Sequence, residues 1–259
     1  MMMSKALPVL MSILMLSAAS PVYAADACVV RSGPAVMPLA ELYTSEGCSS
    51  CPPADHWLSQ QISSDDANFL AFHVDYWDAI GWPDRFASPQ YSHRQRTRVE
   101  ATGQSAVYTP QVMLGSIVQA SWRNSGDWRK SLQLSRQPAG AALTLRMQPA
   151  ATGWHVNLGA AAVGRQADGA NVWLARYIDA QQSDVRAGEN RGVTLHHDRV
   201  VRQLMGPWIL PASGALSREV ELPMEASAWG LTAFVQDARG NVLQSLRLPA
   251  TACAVARSP

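Results

Sequence analysis

The sequence predicts an α/β domain followed by an all-β antiparallel sandwich domain. Two observations support this fold class. Residues 37–134 alternate between apolar segments of strand character and segments with helix-start signals, and a Cys-x-x-C motif follows the first strand. From residue 141 onward, short alternating segments are separated by glycine, proline, asparagine and aspartate. We therefore predict a domain of residues 25–137 and a second domain of residues 138–259.

Helix-start signals and apolar runs define the elements of the first domain. Pro52-Pro53 is a helix entry signal, Ser88-Pro89 combines an N-cap with a first-turn proline, and Asn124 or Ser125 caps the last helix. The elements are a strand at 37–44, a helix at 54–62, a strand at 68–75, a helix at 88–101, a hairpin at 107–114 and 117–120, and a helix at 125–134. The order strand, Cys-x-x-C, helix, strand, helix, proline, hairpin, helix matches the thioredoxin fold.

The second domain is predicted from repeated short strands. Strand segments at this spacing are typical of an antiparallel sandwich. Residues 194–205 fit either a short helix or another strand. The predicted strands are 141–148, 153–161, 171–178, 216–222, 229–236 and 241–248.

The N-terminus has the pattern of an export signal. Lys5 supplies the positive region, residues 6–19 are almost wholly apolar, and residues 22–24 form a small-residue cleavage site. We expect cleavage of the signal peptide, residues 1–24, after Ala24 or Ala25. No later segment is long and apolar enough for a membrane span. The sequence therefore predicts an exported protein, located in the periplasm, with no membrane span.

The charge balance argues against polyanionic partners. Removal of Lys5 with the signal peptide leaves 20 basic and 20 acidic residues. A neutral chain is not typical of proteins that bind nucleic acid or anionic lipid. The arginine-rich run at residues 93–98 is interpreted as the solvated face of a helix.

The four cysteines predict two disulfides in an oxidising compartment. The spacing favours a Cys48–Cys51 bridge, which leaves Cys28 and Cys253 to each other. A bridge between residues near the two termini is expected to be structural, with a loop-closure contribution of roughly 4–5 kcal/mol. Cys48 and Cys51 are the expected reactive pair.

Five blocks of sequence carry a family resemblance. They resemble a family of exported bacterial proteins catalogued as domain of unknown function 1223, which is placed in the thioredoxin-like superfamily. The resemblance implies a thioredoxin-like fold over nearly all of the mature chain, and it supplies no reaction. The blocks are Tyr-Thr-Ser-Glu-Gly-Cys-Ser-Ser-Cys-Pro-Pro-Ala-Asp at 43–55, Phe-His-Val-Asp-Tyr-Trp-Asp at 72–78, Gly-Trp at 81–82, Phe-Ala-Ser-Pro at 86–89 and Tyr-Thr-Pro-Gln at 108–111.

The resemblance implies roles for the two cysteines in thiol–disulfide exchange. Cys48 corresponds to the nucleophile and Cys51 to the resolving thiol. A helix N-terminus stabilises a thiolate, but Pro52 and Pro53 donate no backbone hydrogen bond, and Glu46 opposes a nearby negative charge. The sequence therefore predicts a thiol–disulfide oxidoreductase acting on a protein or small-molecule thiol or disulfide. A permanently oxidised, purely structural bridge is the alternative.

Thr109-Pro110, Trp77 and Trp82 are the candidate substrate groove. Proteins of the resembled superfamily carry a cis-proline beside the cysteines, and Pro110 holds the corresponding place in the element order. An X–Pro bond is cis in only about 5–6% of cases, so the expectation of a cis bond comes from the resemblance. Trp77 and Trp82 either wall the groove or cover a domain junction.

Glu46, His73 and Asp75 are the candidates for a proton relay. His73 and Asp75 alternate along one strand, so their side chains are expected on the same face. They fit a relay or a metal-binding pair, and equally a structural hydrogen bond. His196-His197 lacks a ligand partner in the sequence. The sequence predicts no metal site and no cofactor.

Two further functions remain open from the sequence. A copper-handling protein would use the cysteines with His73 or His56, which together form a soft site suited to Cu(I). A non-catalytic binding protein would keep both disulfides as structural bridges. Motifs for a serine hydrolase, a phosphate-binding loop or a dinucleotide fingerprint are missing from the sequence.

Overall fold

The computed structural model describes residues 28–164, 167–211, 214–225 and 228–254. The predicted signal peptide of residues 1–24, with its cleavage site, lies outside these ranges. Within them, none of the helices is long and apolar enough to cross a membrane.

The described ranges contain fourteen strands and four helices. The strands are β1 (Cys28–Arg31), β2 (Leu39–Thr44), β3 (Asn68–His73), β4 (Gln111–Leu114), β5 (Ile117–Val118), β6 (Ala141–Ala150), β7 (Gly153–Ala162), β8 (Asn171–Ile178), β9 (Gln181–Asp184), β10 (Thr194–His197), β11 (Val200–Ile209), β12 (Ala215–Pro223), β13 (Trp229–Gln236) and β14 (Val242–Pro249). The helices are α1 (Pro52–Gln61), α2 (Pro89–Ala101), α3 (Ser125–Ser135) and α4 (Thr251–Ala254), with a 3₁₀ turn at Asp78–Ile80.

An eight-stranded mixed sheet runs through the molecule. Its strand order is β14-β13-β8-β11-β3-β2-β4-β5. The β2–β3 and β3–β11 pairs are parallel, and the other pairs are antiparallel. Strand β3 joins the two halves of the chain. Ala71 pairs with Val200, and the N–H of Ala71 donates to the carbonyl of Arg199 at 2.8 Å.

Two smaller sheets complete the fold. The first is antiparallel with strand order β1-β6-β7-β12, so the N-terminal strand pairs with strands from the second half of the sequence. The second is the hairpin of β9 and β10. The hairpin lies against α1, and this contact brings the loop between its strands to the cysteine motif.

Both faces of the large sheet are covered. Successive side chains of a strand point to opposite faces. In β2, Tyr43 packs in a core with Tyr91 and Val99 of α2, whereas its neighbour Leu42 packs in a core with Leu58 of α1 and with α3. The four-stranded sheet covers β8, β13 and β14 through a third core. Helix α2 therefore lies on one face, and α1, α3 and the four-stranded sheet cover the other.

The predicted fold class, an α/β thioredoxin-like domain followed by an all-β antiparallel sandwich, is wrong. The protein is mostly β, with a large mixed sheet to which both halves of the sequence contribute strands. Strand β13 is buried at every residue, as expected for a central strand of a sheet covered on both faces. The boundary between residues 137 and 138 stays a prediction about independently folding units.

Local signals for the helices were correct, but the interpretation of residues 93–98 was not. The side chain of Ser88 accepts from the N–H of Gln90 at the start of α2, and that of Asn124 caps α3. Within α2, however, Arg94 and Arg98 are buried against Glu41 of β2. Spacing along the chain did not reveal this partner, because it lies on another element.

Candidate functional site

The cysteine motif lies in a tight turn between β2 and α1. Cys48 and Cys51 form a disulfide with a Cα–Cα distance of 5.4 Å, and both are fully buried. Ser49 and Ser50, between them, are exposed. Cys51 is the N-cap residue of α1, and the helix begins at Pro52, two residues before the predicted start, with the predicted prolines in its first turn. The disulfide is therefore at the helix N-terminus, with Cys48 outside the first turn.

The predicted groove residues approach this turn from one side. The Thr109–Pro110 peptide bond is cis, as predicted. The Thr109 carbonyl accepts from the Ser50 hydroxyl at 3.4 Å, and the Thr109 hydroxyl accepts from Trp77 Nε1 at 2.7 Å. The Ser50 hydroxyl is also 3.3 Å from the Cys48 sulfur. Thr109, Ser50 and Trp77 thus form a continuous set of contacts beside the disulfide.

Trp82 approaches the motif through Glu46. Its Nε1 donates to Glu46 Oε2 at 2.7 Å, so the indole is anchored two residues before Cys48. The structure therefore places Trp77 and Trp82 near the same turn, through different partners. Their role as walls of a groove stays a prediction.

A loop of residues 185–193, which connects β9 to β10, covers the cysteine turn. We call it the covering loop. Asn190 is buried, and its amide donates to the carbonyls of Glu46 and Cys48 at 2.9 and 3.0 Å. Glu189 Oε2 accepts from the Ser49 hydroxyl at 2.7 Å and the Ser49 N–H at 3.1 Å. These bonds lower the pKa of Glu189 and attach the loop to the turn.

A buried group of histidines and carboxylates lies in contact with the same turn. We call Glu46, Asp55, His73, Asp84 and His197 the histidine–carboxylate cluster. His73 Nδ1 contacts Asp84 Oδ2 at 2.6 Å. The same Asp84 oxygen accepts from the Glu46 N–H at 2.9 Å. Asp84 therefore connects His73 at the end of β3 to the residue that precedes the cysteine turn.

His197 lies between two carboxylates. Its Nε2 is 3.6 Å from Glu46 Oε1, and its Nδ1 is 3.7 Å from Asp55 Oδ1. Both distances are too long for hydrogen bonds, so these are ion-pair contacts. The His73 and His197 rings meet edge to face, with centroids 4.9 Å apart. Two imidazoles and two carboxylates thus converge in the interior.

The charges in this cluster shift the pKa values of its members. Burial opposes ionisation of Asp84, but His73 and the N–H groups of Glu46 and Phe86 hold its pKa at about 2. Burial likewise opposes ionisation of Glu46, and the interaction with His197 lowers its pKa from the ordinary value. Burial alone would lower the pKa of His197, but Asp55 and Glu46 raise it to about 10. The cluster is therefore strongly charged inside the protein.

Two of the three predicted relay residues share a partner, and the third does not. Glu46 and His73 both contact Asp84. Asp75 lies beyond the end of β3, where its carboxylate accepts from the Ser92 hydroxyl of α2. The structure thus connects Glu46 with His73 and places Asp75 in a separate hydrogen bond. A proton relay through these residues stays a prediction.

The second disulfide joins Cys28 of β1 to Cys253 of α4, across 225 residues of sequence. It connects the first and last described elements. The copper alternative finds no thiolate in this state, because all four cysteines are paired. His56 is exposed and contacts Gln60 rather than the cysteines.

Sequence reasoning missed most of the residues that surround the motif. Asp55 appeared only as the end of a sequence block and Asp84 not at all, and His197 had no visible partner. Asn190 and Glu189 lie about 140 residues from the contacts they make. Such residues become recognisable only when a distant hairpin is placed against α1.

Two solved structures share this fold. Protein AGR_C_4864 from Agrobacterium tumefaciens has a TM-score of 0.62 and 26% sequence identity, over 84% of this chain and 96% of that chain. HBP35 of Porphyromonas gingivalis also has a TM-score of 0.62, with 12% identity over 83% of this chain and 76% of that chain. The second likeness shows the fold alone.

The family comparison agrees with the blocks of sequence around the cysteines. No curated protein is significantly similar to the chain. Residues 39–236 match the family described as "Protein of unknown function (DUF1223)", a range that contains the cysteine turn, the covering loop and the histidine–carboxylate cluster. The chain therefore belongs to this family.

Proposed function

We propose that the protein is an exported thiol–disulfide exchange protein that works through Cys48 and Cys51. The observation that carries this proposal is the position of the disulfide. It closes a four-residue ring at the start of α1, and the two residues at its tip, Ser49 and Ser50, are exposed. Redox-active pairs occupy such helix N-termini because the positive end of the helix dipole favours a thiolate. In α1 this effect comes without N–H donors from its first two residues, which are prolines.

The exchange is a two-electron reaction with a partner dithiol. A partner thiolate attacks the Cys48 sulfur, the Cys48–Cys51 bond breaks, and Cys51 leaves as a thiolate. The second partner thiolate then attacks the partner sulfur of this mixed disulfide. The products are the partner disulfide and two reduced cysteines of this chain. The reverse sequence transfers a disulfide from the partner to this protein.

Contacts around the turn support this chemistry. The Ser50 hydroxyl donates to the Thr109 carbonyl in the oxidised protein, and at 3.3 Å from the Cys48 sulfur it would turn to donate to a thiolate there. The Glu46 carboxylate would oppose that charge, but it is directed to Trp82 Nε1 and His197. Thr109 and the half-buried Trp77 form the adjacent surface on which an extended partner segment would lie.

The covering loop limits access to the sulfurs. Both cysteines are buried, and Asn190 and Glu189 attach the loop to the turn. In our proposal, a partner displaces these contacts before attack. Export provides the oxidising surroundings in which disulfides persist, and the two disulfides of the structure are compatible with it.

Graded redox buffers test the proposal. The folded protein is equilibrated with mixtures of reduced and oxidised glutathione, alkylated and digested, and the state of each cysteine is read by mass spectrometry. We expect Cys48 and Cys51 to be reduced in milder buffers than Cys28 and Cys253. A Cys51→Ser variant should accumulate a mixed disulfide with glutathione on Cys48.

The matched control is Cys253→Ser, which leaves a free thiol on Cys28. Thiol reactivity confined to Cys48 would support exchange at the helix N-terminus. The proposal fails if the Cys48–Cys51 bridge stays intact until the protein unfolds. That result would assign both disulfides a structural role in a binding protein.

A further inference from the structure

The histidine–carboxylate cluster contains buried nitrogen and oxygen atoms that the fold leaves unpaired. His73 Nε2, both ring nitrogens of His197 and Glu46 Oε1 have no hydrogen-bond partner among the described residues. All three side chains are fully or almost fully buried. Buried polar groups are normally paired, so several unpaired atoms in one place call for a missing partner.

The geometry of these atoms fits a metal ion. Asp55, His73 and His197 each offer a ligand atom, and these atoms lie within 4.8 Å of one another. Zinc bonds its nitrogen and oxygen ligands at about 2.0–2.2 Å, so two ligands of a tetrahedral ion lie about 3.4 Å apart. The 3.7 Å between His197 Nδ1 and Asp55 Oδ1 is close to this value and too long for a hydrogen bond.

In each histidine, a carboxylate faces the ring nitrogen that would not bind the ion, as in many metal sites. Asp84 binds His73 Nδ1, which leaves Nε2 for the ion. Glu46 Oε1 faces His197 Nε2, so the ion would displace the proton on Nδ1 while the proton on Nε2 stays directed to Glu46. The Thr44 hydroxyl donates to Asp55 Oδ2 at 3.0 Å. Such outer hydrogen bonds select the ligating nitrogen and hold the ring in position.

A cavity reaches two of the three proposed ligands. A cavity of about 310 Å³ lies between α1 and β10, and both Asp55 and His197 line it. An ion held by Asp55, His73 and His197 would have this side open for a water molecule or another ligand.

We propose that Asp55, His73 and His197 bind one divalent transition-metal ion, with Asp84 and Glu46 as positioning residues. Two imidazoles and one carboxylate suit Zn²⁺ and related first-row ions, whereas Ca²⁺ and Mg²⁺ prefer oxygen ligands alone. The site goes beyond the proposed exchange reaction, because none of its ligands is a cysteine.

Metal loading of the mature chain tests this site. The protein, prepared without a histidine tag, is stripped with a chelator, loaded with Zn²⁺, dialysed and analysed for metal by mass spectrometry. We expect one Zn²⁺ per chain and a higher melting temperature. A Cys48→Ser/Cys51→Ser variant should bind equally, which separates this proposal from the exchange reaction.

Substitutions in the cluster locate the ion. His73→Gln and His197→Gln should abolish stoichiometric binding, and Asp84→Asn should weaken it about 10–100-fold. The matched controls are His93→Gln on α2 and His155→Gln on β7, both exposed and away from this cavity, which should bind as the natural sequence does. Circular dichroism identifies any variant that fails to fold.

Cobalt provides a readout that does not depend on the variants. Co²⁺ in the natural sequence should show the visible absorption of a four- or five-coordinate site with nitrogen and oxygen ligands. The proposal is overturned if the folded natural sequence retains no metal, or if folded His197→Gln retains one ion per chain. Either result would leave the cluster as a buried ion pair around a protonated His197.

Discussion

Replacement of Arg94 by methionine should destabilise the protein by about 3–5 kcal/mol, because it leaves a buried carboxylate without its main partner. Glu41 is 1% exposed and accepts two hydrogen bonds from Arg94, each at 2.9 Å. The remaining cation, Arg98, is 3.4 Å away. Methionine keeps most of the volume, so the loss reflects the charge more than a cavity.

The destabilisation should depend on pH. Burial disfavours the ionised form of Glu41, but Arg94 and Arg98 lower its pKa to about 2. An unfolded glutamate has a pKa of about 4.3, so the ion pair contributes its stability above that pH and loses it as the pH falls towards 2. The difference in unfolding free energy between the natural sequence and Arg94→Met should therefore be largest near neutral pH and shrink in acid.

Urea unfolding followed by circular dichroism measures this difference. Arg96→Met is the matched control: it changes an exposed arginine of the same helix, and it should alter stability by less than about 0.5 kcal/mol. A loss below about 1 kcal/mol for Arg94→Met would refute the reasoning. So would a loss that stays constant as the pH approaches the pKa of Glu41.

Three further predictions concern the covering loop, the long disulfide and a crowded glycine. Asn190→Ala removes two hydrogen bonds to the cysteine turn and should speed reduction of Cys48–Cys51 by dithiothreitol about tenfold; an unchanged rate would contradict a covering role. Removal of the Cys28–Cys253 bridge by paired serine substitutions should lower stability by about 4–5 kcal/mol in urea unfolding, and a negligible change would argue against its structural role. Gly230→Ala should lower the free energy of unfolding by about 1–3 kcal/mol, because its Cβ would lie 2.3 Å from a buried tyrosine hydroxyl. Gly159→Ala should be tolerated, because the nearest atom to its Cβ would be at 3.7 Å. Equal thermal stability of the two variants would refute this prediction.

Local elements could be predicted because their signals lie within a few residues. Proline and serine caps located the helices, and alternating segments located nearly all the long strands. The segment 194–205, left open between a helix and a strand, contains β10 and the beginning of β11. What failed was the assignment of these strands to sheets.

Strand pairing depends on contacts that the order of elements does not encode. The pairing of β3 with β11 joins Ala71 to Val200, and this single parallel contact brings strands from both halves of the sequence into one sheet. The alternating segments at β8 and β13 predict a two-sheet sandwich, although β13 is buried along its whole length. A strand inside a sheet that is covered on both faces is buried on both sides. A short sequence pattern does not distinguish such a strand from a sandwich strand that is buried on one side.

The sequence by itself determined the cysteine turn, the prolines that begin α1 and the position of the Thr109–Pro110 bond. These features depend on residues that are adjacent or nearly so. Only the tertiary structure decided which groups surround the turn. Asn190 and His197 come from a hairpin about 140 to 150 residues away in sequence, because the cost of closing a long loop grows slowly with its length and is offset by buried contacts. The covering loop and the candidate metal ligands are therefore products of folding, visible only in three dimensions.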